Sequence, residues 1–172
     1  MIHWGALSLY WVWTVAGGLD FLCHRRTHLP TTSGTAESRM HLVQMALCGG
    51  ATLLWLILEP TAGFALMLLV LVIAHAWAGY LDTRAAFRSV RIVLPVEQHL
   101  HSILDVAPWL AWAAIAWLAA SDADLDWALG VRQSPLPLTV WALVLMPALA
   151  LCVPPALLEY RDALRASGSR RA

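Results

Sequence analysis

The stretch "VEQHLHSILDVAPW", Val96 to Trp109, places Glu97, His101 and Asp105 four residues apart. It continues directly into "LAWAAIAWLAA", residues 110–120, which is apolar enough for a membrane helix. Residues four apart share one face of a helix. Two acids and an imidazole are therefore expected on one face of a helix that enters a lipid bilayer, where ionisable groups are costly and mark functional interiors.

The composition of the whole chain is that of a membrane protein. Of its 172 residues, 60% are hydrophobic and 13% are charged, whereas ordinary soluble domains have about 45–50% and about 25%. A helix needs about 20 apolar residues to cross the hydrocarbon core. Runs of this kind lie at about 4–22, 40–58, 61–81, 101–120 and 137–158. We predict an all-α polytopic membrane protein with five transmembrane helices, one domain over residues 1–160 and a basic cytoplasmic tail at residues 161–172.

The arginines predict the orientation of the chain. All eleven basic residues are arginines, and ten of them fall in the segments after spans one and three and in the C-terminal tail: Arg25, Arg26, Arg39, Arg84, Arg88, Arg91, Arg161, Arg165, Arg170 and Arg171. Positively charged loops stay on the cytoplasmic side of a membrane. We therefore expect a prokaryotic inner-membrane protein with its N-terminus outside and its C-terminus in the cytoplasm.

Each of the first four spans carries an acid and a histidine on one helix face. The pairs are Asp20–His24, Glu37–His41, His75–Asp82 and Glu97–His101, with a spacing of seven residues in the third span and four in the others. In the predicted topology all four pairs lie near the cytoplasmic interface. Asp105, one turn beyond His101, is either a further ligand or a group that orients an imidazole. The predicted metal ligands are Asp20, His24, Glu37, His41, His75, Asp82, Glu97, His101 and Asp105.

Metal binding is the chemistry that needs this combination of side chains. Carboxylates can bridge two cations, and neutral imidazole suits iron and zinc. The pattern predicts two divalent metal ions, iron or alternatively zinc, inside a four-helix bundle of spans one to four. Span five has no acid or histidine before Glu159, so we expect it to pack outside this bundle, bent or ended early by Pro147, Pro154 and Pro155. We also expect metal ions, rather than the nearby arginines, to offset the cost of burying the acids.

Two short motifs resemble known membrane oxidases. "HRRTH", residues 24–28, resembles the His-x-x-x-His box of the integral-membrane di-iron desaturases and hydroxylases, and "EQHLH", residues 97–101, is similar to their later boxes. Those families oxidise lipidic substrates with dioxygen. This chain has seven histidines and no His-x-x-His-His box, and it relies more on carboxylates as candidate ligands than those families do. In this balance of carboxylate and histidine ligands it resembles the ferritin-like di-iron carboxylate proteins. The resemblance covers only these motifs and implies a membrane-embedded di-metal centre.

Three functions remain open at this point. The first is an oxidoreductase that uses two irons and dioxygen on a lipophilic substrate, with a cytoplasmic electron donor. The second is a di-zinc hydrolase of a lipid ester or phosphoester, whose anionic headgroup would be held by Arg25, Arg26, Arg88 and Arg91. The third is a non-catalytic metal-binding membrane protein. No nucleic-acid partner is expected.

Two further histidines stay undecided as ligands. His28 lies close to the first pair in sequence, whereas His99, two residues from both Glu97 and His101, faces away from them on a regular helix. The three cysteines show no paired spacing, so the sequence does not predict a disulfide framework.

Overall fold

The regular secondary structure that the structure describes is helical, apart from one isolated β-bridge between Leu58 and Val131. A computed structural model describes residues 4–121 and 124–169. The helices are α1 (Trp4–Arg26), α2 (Thr35–Ile57), α3 (Ala62–Phe87), α4 (Pro95–Ala120), α5 (Leu138–Leu151) and α6 (Val153–Ser169), with a short 3-10 turn at Leu29–Thr31. Five helical segments, with α5 and α6 taken as one, are long and apolar enough to cross a membrane. The predicted all-helical class and the number of candidate spans are confirmed.

The helices extend beyond the apolar runs at one end of the molecule. This end, here called the arginine-rich end, contains the C-terminal ends of α1, α3 and α6 and the N-terminal ends of α2 and α4. The extensions contain acids and histidines that the apolar runs do not include. They remain helical because these polar side chains turn inward, where Asp20, Glu37, Asp82 and Glu97 are all buried.

The fifth span is broken, as its prolines predict. Helix α5 ends at Leu151, and α6 starts at Val153, immediately before Pro154 and Pro155. The break lies against two glycines of α1. A Cβ on Gly17 would lie 3.2 Å from Cys152 Sγ, and one on Gly18 would lie 3.3 Å from Leu151 Cβ. The glycines therefore let the fifth span approach α1 closely at the point where its direction changes.

The fifth span completes the ring of helices instead of packing outside it. Helices α1, α4, α3 and α2 pack in that order, α5 packs on α1, and α6 packs on α2 and the 3-10 turn. The expectation that spans one to four close around the site without span five is wrong. The reason is steric: Ala156 and Ala163 are 1% exposed each, and these small side chains let α6 fit between α1 and α2.

Helix α6 also crosses the predicted start of the basic tail. It runs unbroken through residue 161 and ends at Ser169. Residues 170–172, which we expected to form the end of a basic tail, lie outside the described residues. The arginine-rich end thus includes helical structure beyond the apolar part of the fifth span.

An apolar core fills the bundle toward its opposite end. Phe64, Leu68 and Val72 of α3 are almost fully buried and contact Trp112 of α4. The indole Nε1 of Trp112 donates a hydrogen bond to the Ala65 carbonyl, 3.1 Å away. We call Phe64, Leu68, Val72 and Trp112 the apolar plug, because they separate the polar interior of the arginine-rich end from the opposite end.

Candidate metal centre

Acids and histidines from five helices meet inside the arginine-rich end. They come from α1, α2, α3, α4 and α6, and all but one of them are buried to more than nine-tenths. The exception is His101, whose side chain is 17% exposed. We call this set the acid–histidine cluster; its members are Asp20, His24, Glu37, His41, Asp82, Glu97, His101 and Glu159.

One group within the cluster has four potential ligands. Asp20, His24, Glu97 and His101 each offer an atom within 4.8 Å of the others. Asp20 lies between the two imidazoles, with Oδ2 at 3.2 Å from His24 Nε2 and Oδ1 at 3.2 Å from His101 Nε2. Glu97 Oε1 lies 3.5 Å from His24 Nε2 and 4.0 Å from His101 Nε2. Two carboxylates and two imidazoles thus surround one small volume.

A second group lies on the α2 side. Ligand atoms of His24, Glu37 and His41 lie within 4.8 Å of one another. Asp82 joins this group from α3, since its Oδ1 lies 3.1 Å from His41 Nε2. His24 belongs to both groups, so the two potential metal positions are adjacent.

The converging atoms lie close together without forming hydrogen bonds. In residues 4–121 and 124–169, seven buried side-chain nitrogen or oxygen atoms have no hydrogen-bond partner. Five of the seven belong to the cluster: Asp20 Oδ1, His24 Nε2, His41 Nε2, Asp82 Oδ1 and His101 Nε2. Unpaired buried polar atoms are rare in proteins because each one costs free energy. Five such atoms in one place form an arrangement that a shared cation would satisfy.

The spacing of these atoms fits a metal ion. Ligand atoms bound about 2.0–2.1 Å from a metal are separated by about 3.0 Å in octahedral geometry and about 3.4 Å in tetrahedral geometry. The shortest separations between a histidine Nε2 and a carboxylate oxygen in the cluster are 3.1, 3.2, 3.2 and 3.5 Å. The residues present therefore fit a metal in donor type, separation and burial.

Glu159 orients two of the imidazoles. His24 Nδ1 donates to Glu159 Oε2 at 2.9 Å, and His41 Nδ1 donates to Glu159 Oε1 at 2.7 Å. Because an ionised carboxylate only accepts hydrogen bonds, both Nδ1 atoms carry protons. In the neutral rings, both Nε2 lone pairs are then directed into the cluster. Carboxylate–histidine pairs of this kind fix the tautomer and orientation of metal-binding imidazoles.

Arg91 lies inside the protein and joins two acids. Its side chain is fully buried, and Nε donates to both carboxylate oxygens of Glu37 at 3.1 Å. Nη2 donates to Glu37 Oε1 at 2.5 Å and also to Glu97 Oε1, while Nη1 donates to Thr27 Oγ1 at 3.2 Å. The expectation that no arginine offsets the burial of the acids is therefore wrong for Glu37 and Glu97. Arg91 lies in the short connection between α3 and α4.

The cluster has more negative than positive charge. Its five carboxylates, Asp20, Glu37, Asp82, Glu97 and Glu159, are buried together with one guanidinium. With neutral histidines, four negative charges remain uncompensated. Two divalent cations would balance them, whereas protonation of His24, His41 and His101, whose Nε2 atoms lie 3.1–3.2 Å from carboxylate oxygens, would balance only three.

The other predicted or undecided residues lie outside the two groups. His75 is buried and Asp105 is exposed, and neither belongs to the two groups whose ligand atoms lie within 4.8 Å of one another. His28 is exposed, in a left-handed backbone conformation with φ 54°. His99 is exposed on the far face of α4, as its spacing predicts.

Sequence reasoning missed Glu159 and the role of Arg91. For Glu159 a signal was present, because it lies three residues after Ala156 and four before Ala163, which places an acid on a stripe of small residues. Such a face can approach neighbouring helices closely. For Arg91 the sequence offers no comparable pattern, since its two partners lie on different helices.

Comparisons with known proteins add no family to this description. No protein-family model, curated protein or solved structure shows significant similarity to the chain.

Proposed function

We propose that this chain is an integral-membrane oxidoreductase that holds two divalent metal ions, iron in the active form, in the acid–histidine cluster. It would use dioxygen to oxidise a lipophilic substrate near the cytoplasmic interface. The observation that carries this proposal is the convergence of three imidazole Nε2 atoms and two carboxylate oxygens without hydrogen bonds among them.

A membrane location is supported by the surface as well as by the length of the helices. Large apolar side chains are exposed along the spans, among them Leu66, Val70, Ile73 and Trp77 of α3 at 53–62%. In water this surface would be unfavourable, whereas lipid chains can cover it. The concentration of arginines at one end favours the orientation in which the cluster lies near the cytoplasmic face.

The two metal positions would differ in their ligands. Asp20, His24, Glu97 and His101 would hold one ion. His41, Asp82 and Glu37 would hold the other, with Glu37 and Glu97 still bonded to Arg91, since a carboxylate has about four lone-pair sites. Mixed imidazole and carboxylate ligands suit iron, and a bound iron pair supplies electron transfer to dioxygen.

The proposed oxidation needs an external electron donor. Reduction of dioxygen to the level of water takes four electrons; the substrate provides two of them and a cytoplasmic reductant provides the other two. Hydroxylation and desaturation both follow this balance, with protons drawn from the aqueous side. The chain's own residues would hold the metals, exclude bulk water and fix the imidazole tautomers.

One of the observations that supported the alternative hydrolase function does not hold in the structure. Arg91, one of the four arginines that we expected to hold an anionic headgroup, is buried between Glu37 and Glu97. Arg25, Arg26 and Arg88 are exposed. The buried interior of the cluster is acidic, which disfavours an anionic ester or phosphoester.

Metal analysis of the purified protein tests the proposal. The full chain is purified in detergent without added metal, and its metals are quantified together with its absorption spectrum before and after reduction. The proposal expects up to two irons per chain, an absorption band that changes on reduction, and oxygen consumption with a chemical reductant. Stoichiometric zinc in a colourless protein would overturn the oxidoreductase and favour the hydrolase.

A further inference from the structure

Three polar side chains converge on one region beside the acid–histidine cluster. They are Gln44 of α2, His75 of α3 and Asp105 of α4. We propose that this region is the substrate pocket, and that it binds a long-chain lipophilic molecule through a single hydroxyl group. This inference rests on the proposed function, because it names the class of substrate that would reach the metal centre.

The pocket is placed by the same helix faces that build the cluster. On α2, Gln44 follows His41 by three residues, and on α4, Asp105 follows His101 by four. On α3, which runs the other way, His75 precedes Asp82 by seven residues. With a rise of about 1.5 Å per residue, these steps all lead from the cluster toward the middle of the bundle, over about 5–10 Å.

Gly79 lets two of these side chains approach the backbone of α3 closely. A Cβ at this position would lie 3.1 Å from Asp105 Oδ1 and 3.6 Å from Gln44 Oε1. Gly79 is four residues from His75, so both lie on one face of α3. The acid, the amide and the imidazole thus come together above a residue that has no side chain.

The polar groups of the pocket lack hydrogen bonds to protein. His75 is only 4% exposed, and within residues 4–121 and 124–169 none of Gln44, His75 or Asp105 forms a hydrogen bond; His75 and Asp105 are close enough to interact electrostatically. Leaving such groups without partners in an apolar bundle costs free energy. A ligand that both donates and accepts hydrogen bonds would remove this cost.

The walls of the pocket indicate an apolar chain. The apolar plug closes it on the opposite side, where Val72 lies three residues from His75 on α3. Asp105 lies on the same α4 face as Trp112, seven residues away, and this face turns toward α3 because Trp112 bonds the Ala65 carbonyl. Asp105 is nevertheless exposed, so the pocket has an opening.

The charges of the pocket select a neutral polar group. Asp105 accepts hydrogen bonds and repels anions, while Gln44 and His75 can donate or accept. A hydroxyl satisfies both kinds of partner, whereas a carboxylate or phosphate would face Asp105. A fatty alcohol therefore matches the pocket better than a fatty acid or an anionic lipid.

Photolabelling of the protein in lipid nanodiscs tests the pocket. The probe is hexadecanol with a diazirine near its hydroxyl group, and the labelled residues are mapped by mass spectrometry. We expect labels within residues 72–79 and 104–112, and we expect competition by hexadecanol but not by hexadecane. Equal competition by hexadecane, or labels spread evenly over the lipid-facing surface, would overturn the pocket.

Two variants and one control distinguish a loss of ligand binding in the pocket from a loss of the folded structure. Gly79→Leu places a side chain against Asp105 and Gln44, displaces them and should lower the labelling roughly tenfold. Gln44→Leu should remove most of the preference for hexadecanol over hexadecane. Gly49→Leu is the control, because a Cβ at Gly49 meets no atom within 4 Å. Both pocket variants should keep the metal content of the unaltered protein, which also reports that they fold. If both keep metal and unaltered labelling, the inference is wrong.

The experiment also distinguishes this inference from the proposed function. Labelling does not require turnover. If the protein binds hexadecanol in the pocket but contains no iron, the proposed pocket is supported and the proposed oxidoreductase activity is refuted. A protein that contains reducible iron but shows no competed labelling would refute the pocket alone.

Discussion

His24 and His41 stack face to face, with ring centroids 4.5 Å apart and ring planes 9° apart. Each ring donates a hydrogen bond to one oxygen of the Glu159 carboxylate. Three helices, α1, α2 and α6, therefore meet at one carboxylate. The positions of both Nε2 atoms depend on a residue that does not itself belong to either ligand group.

Replacing Glu159 tests this dependence. Glu159→Ala should lower metal affinity about 10–100-fold, because His24 and His41 lose the acceptor that fixes their tautomers. Glu159→Gln should restore part of this affinity, since one amide oxygen can still accept from an imidazole. Metal titration of the apoprotein measures both effects. Asp162→Asn, one turn along α6 and half-exposed beside Arg161, is the matched control; an equal loss there would refute the specific role of Glu159.

A change at His101 tests the first ligand group. His101→Ala removes one of the four potential ligands of this group, which also contains Asp20, and should lower the metal content from two ions toward one. The control is His99→Ala on the exposed side of α4, which should leave the content unchanged. Elemental analysis of the purified variants gives the result directly. Two metals per chain in the His101 variant would argue that this group is not a metal site.

Replacing Arg91 tests the fold of the arginine-rich end. Arg91→Met leaves Glu37 and Glu97 buried without their cation, which should lower the free energy of unfolding by about 3–5 kcal/mol. Thermal unfolding in detergent compares this variant with Arg88→Met, whose arginine is exposed and should contribute little. If the two variants unfold alike, the buried ion pairs do not stabilise the protein.

The proposed orientation can be tested with cysteine labelling in sealed cells. Ser134→Cys lies in the exposed loop before α5, and Arg88→Cys lies at the arginine-rich end. A membrane-impermeant thiol reagent should label the first variant in intact cells and the second only after the membrane is opened. The unaltered chain gives the background labelling at its native cysteines. The reverse pattern would place the cluster on the outer side.

The sequence predicted most of the cluster because its pairs are local. Asp20 with His24, Glu37 with His41, and Glu97 with His101 are each one helical turn apart, so helix geometry alone places them together. Glu159 and Arg91 depend on tertiary contacts instead. The position of Glu159 requires the break at Cys152 and the close approach at Gly17 and Gly18, and periodicity does not encode either.

The separation of His75 and Asp105 from the cluster also has a physical reason. Both lie on the predicted helix faces, but the ligand atoms of the cluster collect where five helices meet, and α6 reaches only the arginine-rich end. Beyond this end the same faces continue without a partner from α6. Sequence spacing predicts a shared face, whereas the depth at which side chains meet depends on the element that closes the ring.

The position of Glu159 in the fifth span has a consequence for biosynthesis. A ribosome completes the first four spans, with every residue of the two ligand groups, before residue 159 has been added to the chain. Until then His24 and His41 lack the carboxylate that fixes their tautomers, and the ring between α1 and α2 is open. Insertion of the last helix would therefore be the step that completes the proposed metal sites, so truncated chains released early would bind metal more weakly than the full chain.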